Sequence, residues 1–560
     1  MRRRFLALSL LLLPFSACHD AIPDNSTPNA LLPTVALADR AAFVEKNSHM
    51  AFLLDPADKA LVPRMVSVGK APIAAVKRNA TNQLLVLSSG TRGSAKDALV
   101  PAQLQTIDAD ATVPSAVYPL ASSFDGLAQS ADGGFAVLYH AAAAQDSTNT
   151  ALFNPNELAL VNLASPPSGN ALPNPYPKSI RSFGGVPADV KFSPSFTFAG
   201  KPRTLAVVLA QNYVTILDLG NLDRTEITVP LSPDSTSSFM PRQVLFDTAN
   251  SNDPTTPNVN LYIRADGSND IFQVTLAIDL GTPAPTPPSN DFHASLSMLA
   301  AGTTPSDLAL YGTGVDTRLA VVATGSRTLA IIDPRTSSTT SIPISIPATQ
   351  LVVFKATSPS TPSVTIPEDR ALLVDTSSGS NSVLFADLKS IETTGGIALH
   401  DYPLGASATS VVPLVDQGIA VIMFGKYTGV SALTVVDLTS RTLSPIGSGG
   451  GQAGATMIDT QSPSRVWSLD GSNGISYLNL VARDGQARLA TGEVWLDQSI
   501  ADVLPLGQAS SDKHRYLVVD QNDPNSVGNV TFLDADNPDR TTARTAYGFL
   551  LTNYLERGNP

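Results

Sequence analysis

The stretch RLAVVATGSRTLAIIDPRT, residues 318–336, decides the fold. Its first half is a continuous apolar run, as expected of a strand covered on both faces. A short polar turn follows, and a second apolar run ends on Asp333. Upstream, Pro305-Ser-Asp-Leu-Ala-Leu-Tyr311 reads as a strand, and downstream TTSIPIS (339–345) reads as another. Bounded by turn clusters, these four runs make one all-β unit.

The unit recurs. Residues 347–354, 370–377, 382–388 and 396–404 repeat it, and so do VPADVKFSP, RTLAVVLA, YVTILDL and TEITVPL between 186 and 231. Along the whole chain an acid or amide closes the third run of each unit: Asp55, Asp108, Asn162, Asp218, Asp279, Asp333, Asp387, Asp437, Asn479 and Asp534. Four-stranded units at this period are the sequence mark of β-propeller blades. The expected fold is therefore all-β, a propeller of about eight to ten repeat units. One large ring is favoured; two smaller rings, or a ring with an appended unit, are the alternatives. An array of β-sandwiches fits the even spacing less well.

The repeated residues have local tasks. A carboxylate at the end of a strand can accept turn N–H groups and start the next hairpin as an Asx-turn. Pro33, Pro72, Pro187, Pro241, Pro305 and Pro347 stand near the start of first strands, where no ladder donor is required. These positions are read as structural rather than as a ring of catalytic acids.

Bulk properties set outer limits. Of 560 residues 43% are hydrophobic and only 15% charged, so a large core is expected and global disorder is not. The 43 Pro and 37 Gly fit many turns. A net charge of −12 argues against a nucleic-acid partner, because binding one needs a basic face.

The start of the chain is a leader. MRRR followed by FLALSLLLLPF has the charged and apolar regions of a secretory signal, and is too short for a stable membrane span. Phe15-Ser16-Ala17-Cys18 resembles the bacterial lipobox. That resemblance implies lipidation of Cys18, the only cysteine, and a lipid anchor in a membrane. By the sorting rule of that family, His19 after Cys18 implies the outer membrane. The chain thus divides into a signal peptide (1–17), a flexible tether (18–31) and a propeller (32–556).

Segments 318–336, 370–390 (RALLVDTSSGSNSVLFADLKS) and 67–90 (SVGKAPIAAVKRNATNQLLVLSSG) resemble YVTN-type propeller repeats of bacterial surface proteins. Ser130-Ala-Asp-Gly133 resembles the hairpin which that family places between strands one and two. The resemblance implies a propeller at the cell envelope and leaves the ligand open.

Motifs for chemistry are scarce. His19, His49, His140, His293, His400 and His514 are scattered, and a lone Cys18 excludes a Cys-based zinc site. Two Asx-rich stretches, 520–525 and 534–539, lack the spacing of a calcium loop. Ser67/Lys70 and Ser510/Lys513 lack the companions of a β-lactamase. The run 449–454 fits G-x-G-x-x-G, but no helix follows. Ser130-Ala-Asp132-Gly-Gly134 matches half a sialidase box, without its Thr-Trp half. No catalytic residue, metal ligand or cofactor is assigned. Attention passes to the insertions 144–154, 165–178, 249–257, 281–292, 356–367 and 446–454, because loops carry function in such scaffolds. The leading expectation is a lipid-anchored, non-catalytic binding or scaffold protein for a protein or polysaccharide partner. The alternatives are a lactonase-like metal-dependent hydrolase or lyase with its site in the channel, and an outer-membrane assembly scaffold.

Overall fold

A computed structural model describes residues 28–551, except 92–98, 142–153, 166–171, 182–184, 199, 233–236, 278–291, 356–367, 378, 425–432, 447–452, 460–463, 471–472, 481–488, 508–511 and 522–526. Among the described residues there are ten antiparallel four-stranded sheets, nine built from four consecutive strands, and one two-stranded sheet inserted between the first and second strands of the remaining one. The ten blades span 35–67, 72–119, 126–179, 187–230, 240–300, 305–343, 350–403, 408–446, 453–495 and 500–546. The quoted stretch supplies strands two and three of blade six, Arg318–Ala323 and Thr328–Asp333.

Burial explains the sequence pattern. Middle strands touch the neighbouring blade on each face, so they must be apolar throughout. Leu205–Ala210 and Tyr213–Asp218 of blade four are buried at every position. First strands are only partly covered, as in Pro187–Phe192 and Pro305–Tyr311, where every third residue is buried. First strands of adjacent blades also pack on one another, which sets them around the axis. Fourth strands form the rim.

Each pair of neighbouring blades shares one apolar core, and the series closes on itself. Leu85 and Leu104 of blade two meet Ala136 and Val161 of blade three. Ile419 and Val435 of blade eight meet Val466 and Leu478 of blade nine. At the end of the series, Leu517, Val530 and Phe532 of blade ten pack with Phe43, Phe52 and Leu54 of blade one. The molecule is therefore one ring of ten blades rather than two smaller rings. The short ninth unit and the long fifth unit are both full blades.

No strand is exchanged across the seam, since blades one and ten are each made of consecutive strands. Other contacts hold it. The Asn29 backbone N–H and side-chain Nδ2 both donate to the Leu550 carbonyl, at 3.1 and 2.9 Å. Gly507 N–H donates to the Leu37 carbonyl at 2.9 Å, and Arg544 to the Pro56 carbonyl. Residues 28–31, the last four read as tether, thus belong to the seam: Pro28 bridges Leu551, and Leu31 bridges Glu45. Residues 18–27 lie outside the described residues.

Among the described residues, helix is nearly absent. One α-helix, Leu388–Thr394, follows strand three of blade seven, with Leu388 and Ile391 turned inward. Seven residues are too few for helical periodicity to show in a sequence window.

Candidate functional site

The spaced acids stand where expected, at the ends of third strands. Asp55 Oδ1 accepts the Ala57 N–H at 2.8 Å, Asp218 that of Gly220 at 3.0 Å, and Asp333 that of Arg335 at 2.9 Å. Asp437 accepts from Thr439 and Ser440, and Asp534 from Asp536 and Asn537. These are Asx-turns that start the last hairpin. Asp279 lies outside the described residues.

A second repeat was legible but unread. In five blades an arginine at or just before the start of strand two reaches the mark. Arg40 lies 3.6 Å from Asp55 and Arg318 lies 3.5 Å from Asp333. Arg203 pairs with Asp218 at 2.5 Å, Arg370 with Asp387 at 2.8 Å, and Arg465 donates to Asn479 at 2.8 Å. The signal is an arginine 14 to 17 residues before the mark. Arg465 is also enclosed by rings, 5.2 Å from Trp467, 4.6 Å from Tyr477 and 5.5 Å from Tyr516. It stiffens the contact between blades nine and ten.

The first strands carry another unread pattern. Directly after Pro72, Pro187, Pro241 and Pro305, and after Ile500 of blade ten, the ladder slips by one residue. The bulge re-aims the residue that follows. In blades four, six and ten that residue is Asp189, Asp307 or Asp502, and each caps the next backbone N–H at 2.7 to 2.8 Å. Asp307 also accepts the Leu351 N–H of blade seven and the Gln243 amide of blade five, both at 2.8 Å. It is a staple across three blades. Burial pushes its carboxyl above the ordinary value, outweighing these donors. Burial likewise raises Asp502, opposed by the Val503 N–H. Among the described residues, no three His, Cys, Asp or Glu gather closely enough to hold a metal ion.

The other motifs resolve into turns. Ser130 Oγ donates to Asp132 at 2.5 Å, and Asp132 accepts the Gly134 N–H at 2.9 Å. Gly133, with φ +66°, lets this tight hairpin join strands one and two of blade three. Asp539 caps Thr541, and Asp534 is already used by its own turn. His400 lies 3.6 Å from Asp387, in a structural cluster. Ser510 and the run 449–452 lie outside the described residues, as does Cys18.

Antiparallel order gives the ring two distinct faces. Joins from strand one to two and from three to four leave on one face. Joins from two to three and from four to the next blade leave on the other. The strands that flank insertions 165–178, 249–257, 281–292 and 356–367 end on the first face. Those that flank 144–154 and 446–454 end on the second. Of these, 144–153, 166–171, 281–291, 356–367 and 447–452 lie outside the described residues. The first face also carries the inserted hairpin Phe196–Phe198/Lys201–Arg203 of blade four and the helix of blade seven. Phe198 anchors that hairpin against Phe292 of blade five, ring centroids 4.8 Å apart.

A pocket of about 450 Å³ opens on the first face between blades three and four. Its walls are Asn162, Ser165, Leu172, Pro173 and Asn174 on one side and Leu219 to Asp223 on the other. Asn174 holds the first wall by donating to the carbonyls of Asn162 and Ser165, at 2.8 and 2.7 Å. The lining mixes amides with small apolar groups. By contrast the chain enters the ring from the second face, where Leu31 bridges Glu45 at the end of strand two.

No family model and no curated protein matches the chain. In structure it is similar to the dihydro-heme d1 dehydrogenase NirN in complex with DHE, at 11% identity and a TM-score of 0.38, over 70% of this chain and 72% of that one. It is also similar to the Kuenenia stuttgartiensis hydrazine synthase, at 12% and 0.26, over 77% and 99%. Apo AztD from Citrobacter koseri matches at 10% and 0.33, over 74% and 95%. Likeness of this size says nothing about activity.

Proposed function

We propose that the chain is a lipid-anchored envelope propeller that binds a protein or polysaccharide partner and performs no chemistry of its own. The observation that carries this reading is the asymmetry of the two faces. The chain enters on the second face at Pro28, beside Leu551. Cys18 stands ten residues earlier, so a lipid there keeps the second face within about 35 Å of the membrane. The first face, where the strands flanking four of the six insertions end and where the pocket opens, then points away from the lipid. The YVTN-type resemblance and the lipobox support an envelope location, at the outer membrane by the sorting rule.

Two experiments test the proposal. Cys18→Ser is expected to abolish labelling with radioactive palmitate and to release the protein from the membrane fraction. A wild-type chain that takes up no label would remove the anchor. A photo-crosslinking residue at Thr255, exposed on the first face, is expected to capture the partner in intact cells. The same residue at Asn47, exposed on the second face, is expected not to. Capture from Asn47 alone would reverse the orientation.

A further inference from the structure

The rim of the ring exposes ten fourth strands, and an open strand edge invites pairing with another strand. Nine of the ten are protected. Fourth strands of blades two, three, four, six, seven and eight contain Pro119, Pro177, Pro230, Pro343, Pro403 and Pro445. Those of blades one, nine and ten contain Arg64, Glu493 and Arg544. Five of the prolines, Pro119, Pro177, Pro230, Pro343 and Pro403, sit where the backbone faces outward. The bonds of the following residues fix this phase, such as Leu231 N–H to the Asn212 carbonyl and Ile344 N–H to the Arg327 carbonyl, at 2.8 and 2.9 Å.

Blade five differs. Its fourth strand, His293–Ala300, is eight residues long, has no proline and no acidic or basic residue beyond the terminal His293, and is exposed at seven positions. The Ala301 N–H to Asn269 carbonyl bond sets its phase. Ser295, Ser297 and Leu299 turn their backbone groups toward strand three, while Ala294, Leu296 and Met298 turn theirs outward. Leu296 and Met298 are 39% and 47% exposed.

We propose that this strand is a dimerisation edge, pairing antiparallel with the same strand of a second copy. The outward phase is self-complementary about Leu296. Leu296 falls opposite Leu296 of the second copy, and Ala294 opposite Met298. All three positions present outward N–H and C=O groups, and their side chains share one face of the joined eight-stranded sheet. Charge selects this occupant. In a self-pair any charge near the twofold would oppose its own kind, and a chain of net charge −12 needs an uncharged contact to meet itself.

The test uses the full chain carrying Cys18→Ser, which has no other cysteine. Adding Leu296→Cys places two thiols opposite each other at the twofold, within disulfide reach. Under mild oxidation this variant is expected to give a covalent dimer. Thr340→Cys, exposed at the rim of blade six, is expected to stay monomeric. Without added cysteines, sedimentation velocity is expected to show dimer growing with concentration, and Leu296→Lys to lose it. Equal cross-linking at both sites, or a monomer at every concentration, overturns the proposal. A monomer whose Ala294, Leu296 and Met298 amides resist hydrogen exchange overturns it too, because the edge is then covered by another part of the same chain.

Discussion

Phe549→Ala is expected to lower the stability of the ring by about 3–5 kcal/mol, and to raise hydrogen exchange in blades one and ten together. Phe549 is fully buried beyond the last strand of blade ten. Its ring meets Phe43 edge-on with centroids 5.0 Å apart, and Phe52 at 6.4 Å. Both partners belong to blade one. With no strand exchanged across the seam, the apolar core that Phe549 completes and a few hydrogen bonds are what make blade ten a neighbour of blade one. If the seam opened, two apolar blade faces would meet water at once. Phe385→Ala, fully buried between blades seven and eight, is the matched control. Its cost is expected to be similar, but its exchange signature is confined to blades seven and eight. Unchanged exchange in blade one of the Phe549→Ala variant would show that the seam does not depend on this residue.

The seam also marks where reading the sequence stops. Strand period, blade boundaries and Asx-turns follow from local chemistry, because a hairpin needs its own turn donors and acceptors whatever surrounds it. The run 318–336 therefore falls on its strands nearly to the residue. The same period serves a ring of ten or two rings of five. What decides between them is which faces meet, and that rests on residues outside the repeat, Asn29, Phe549 and Leu550. The bulge acids escaped notice for a related reason. Asp189, Asp307 and Asp502 have neighbours that come from adjacent blades or from a slipped ladder, and neither is visible along one strand. The two faces were hidden as well, since an insertion shows its length in the sequence but not the side on which it leaves. The unprotected rim of blade five needed all ten fourth strands aligned before the missing prolines stood out.

Residues at one position of the repeat need not have one energetic weight, and Asp387 and Asp534 measure the difference. Asp387→Ala is expected to cost about 3–5 kcal/mol, the price of breaking a buried ion pair. Asp534→Ala, which loses turn hydrogen bonds, is expected to cost about 1 kcal/mol. Asp387 is buried and accepts from Arg370 Nε at 2.8 Å and from Arg441. Arg370 also donates to the carbonyls of Leu438 and Thr439, at 2.7 and 2.8 Å, so the cluster joins blade seven to blade eight. Removing the carboxylate leaves the buried guanidinium without its counter-charge. Burial alone would raise the Asp387 carboxyl, but Arg370 and Arg441 outweigh it and hold the group below its ordinary value of 3.8. A folded-state value below the unfolded one means that the stabilisation is complete above about pH 4 and drains as pH falls through the folded value. The gap between wild type and Asp387→Ala is therefore expected to be widest at neutral pH and to narrow in acid, while the Asp534→Ala gap stays small throughout. Denaturant midpoints of the three proteins from pH 7 to pH 3 check this. A gap for Asp387→Ala that did not narrow would mean that the ion pairs contribute little and that packing of the side chain carries its weight.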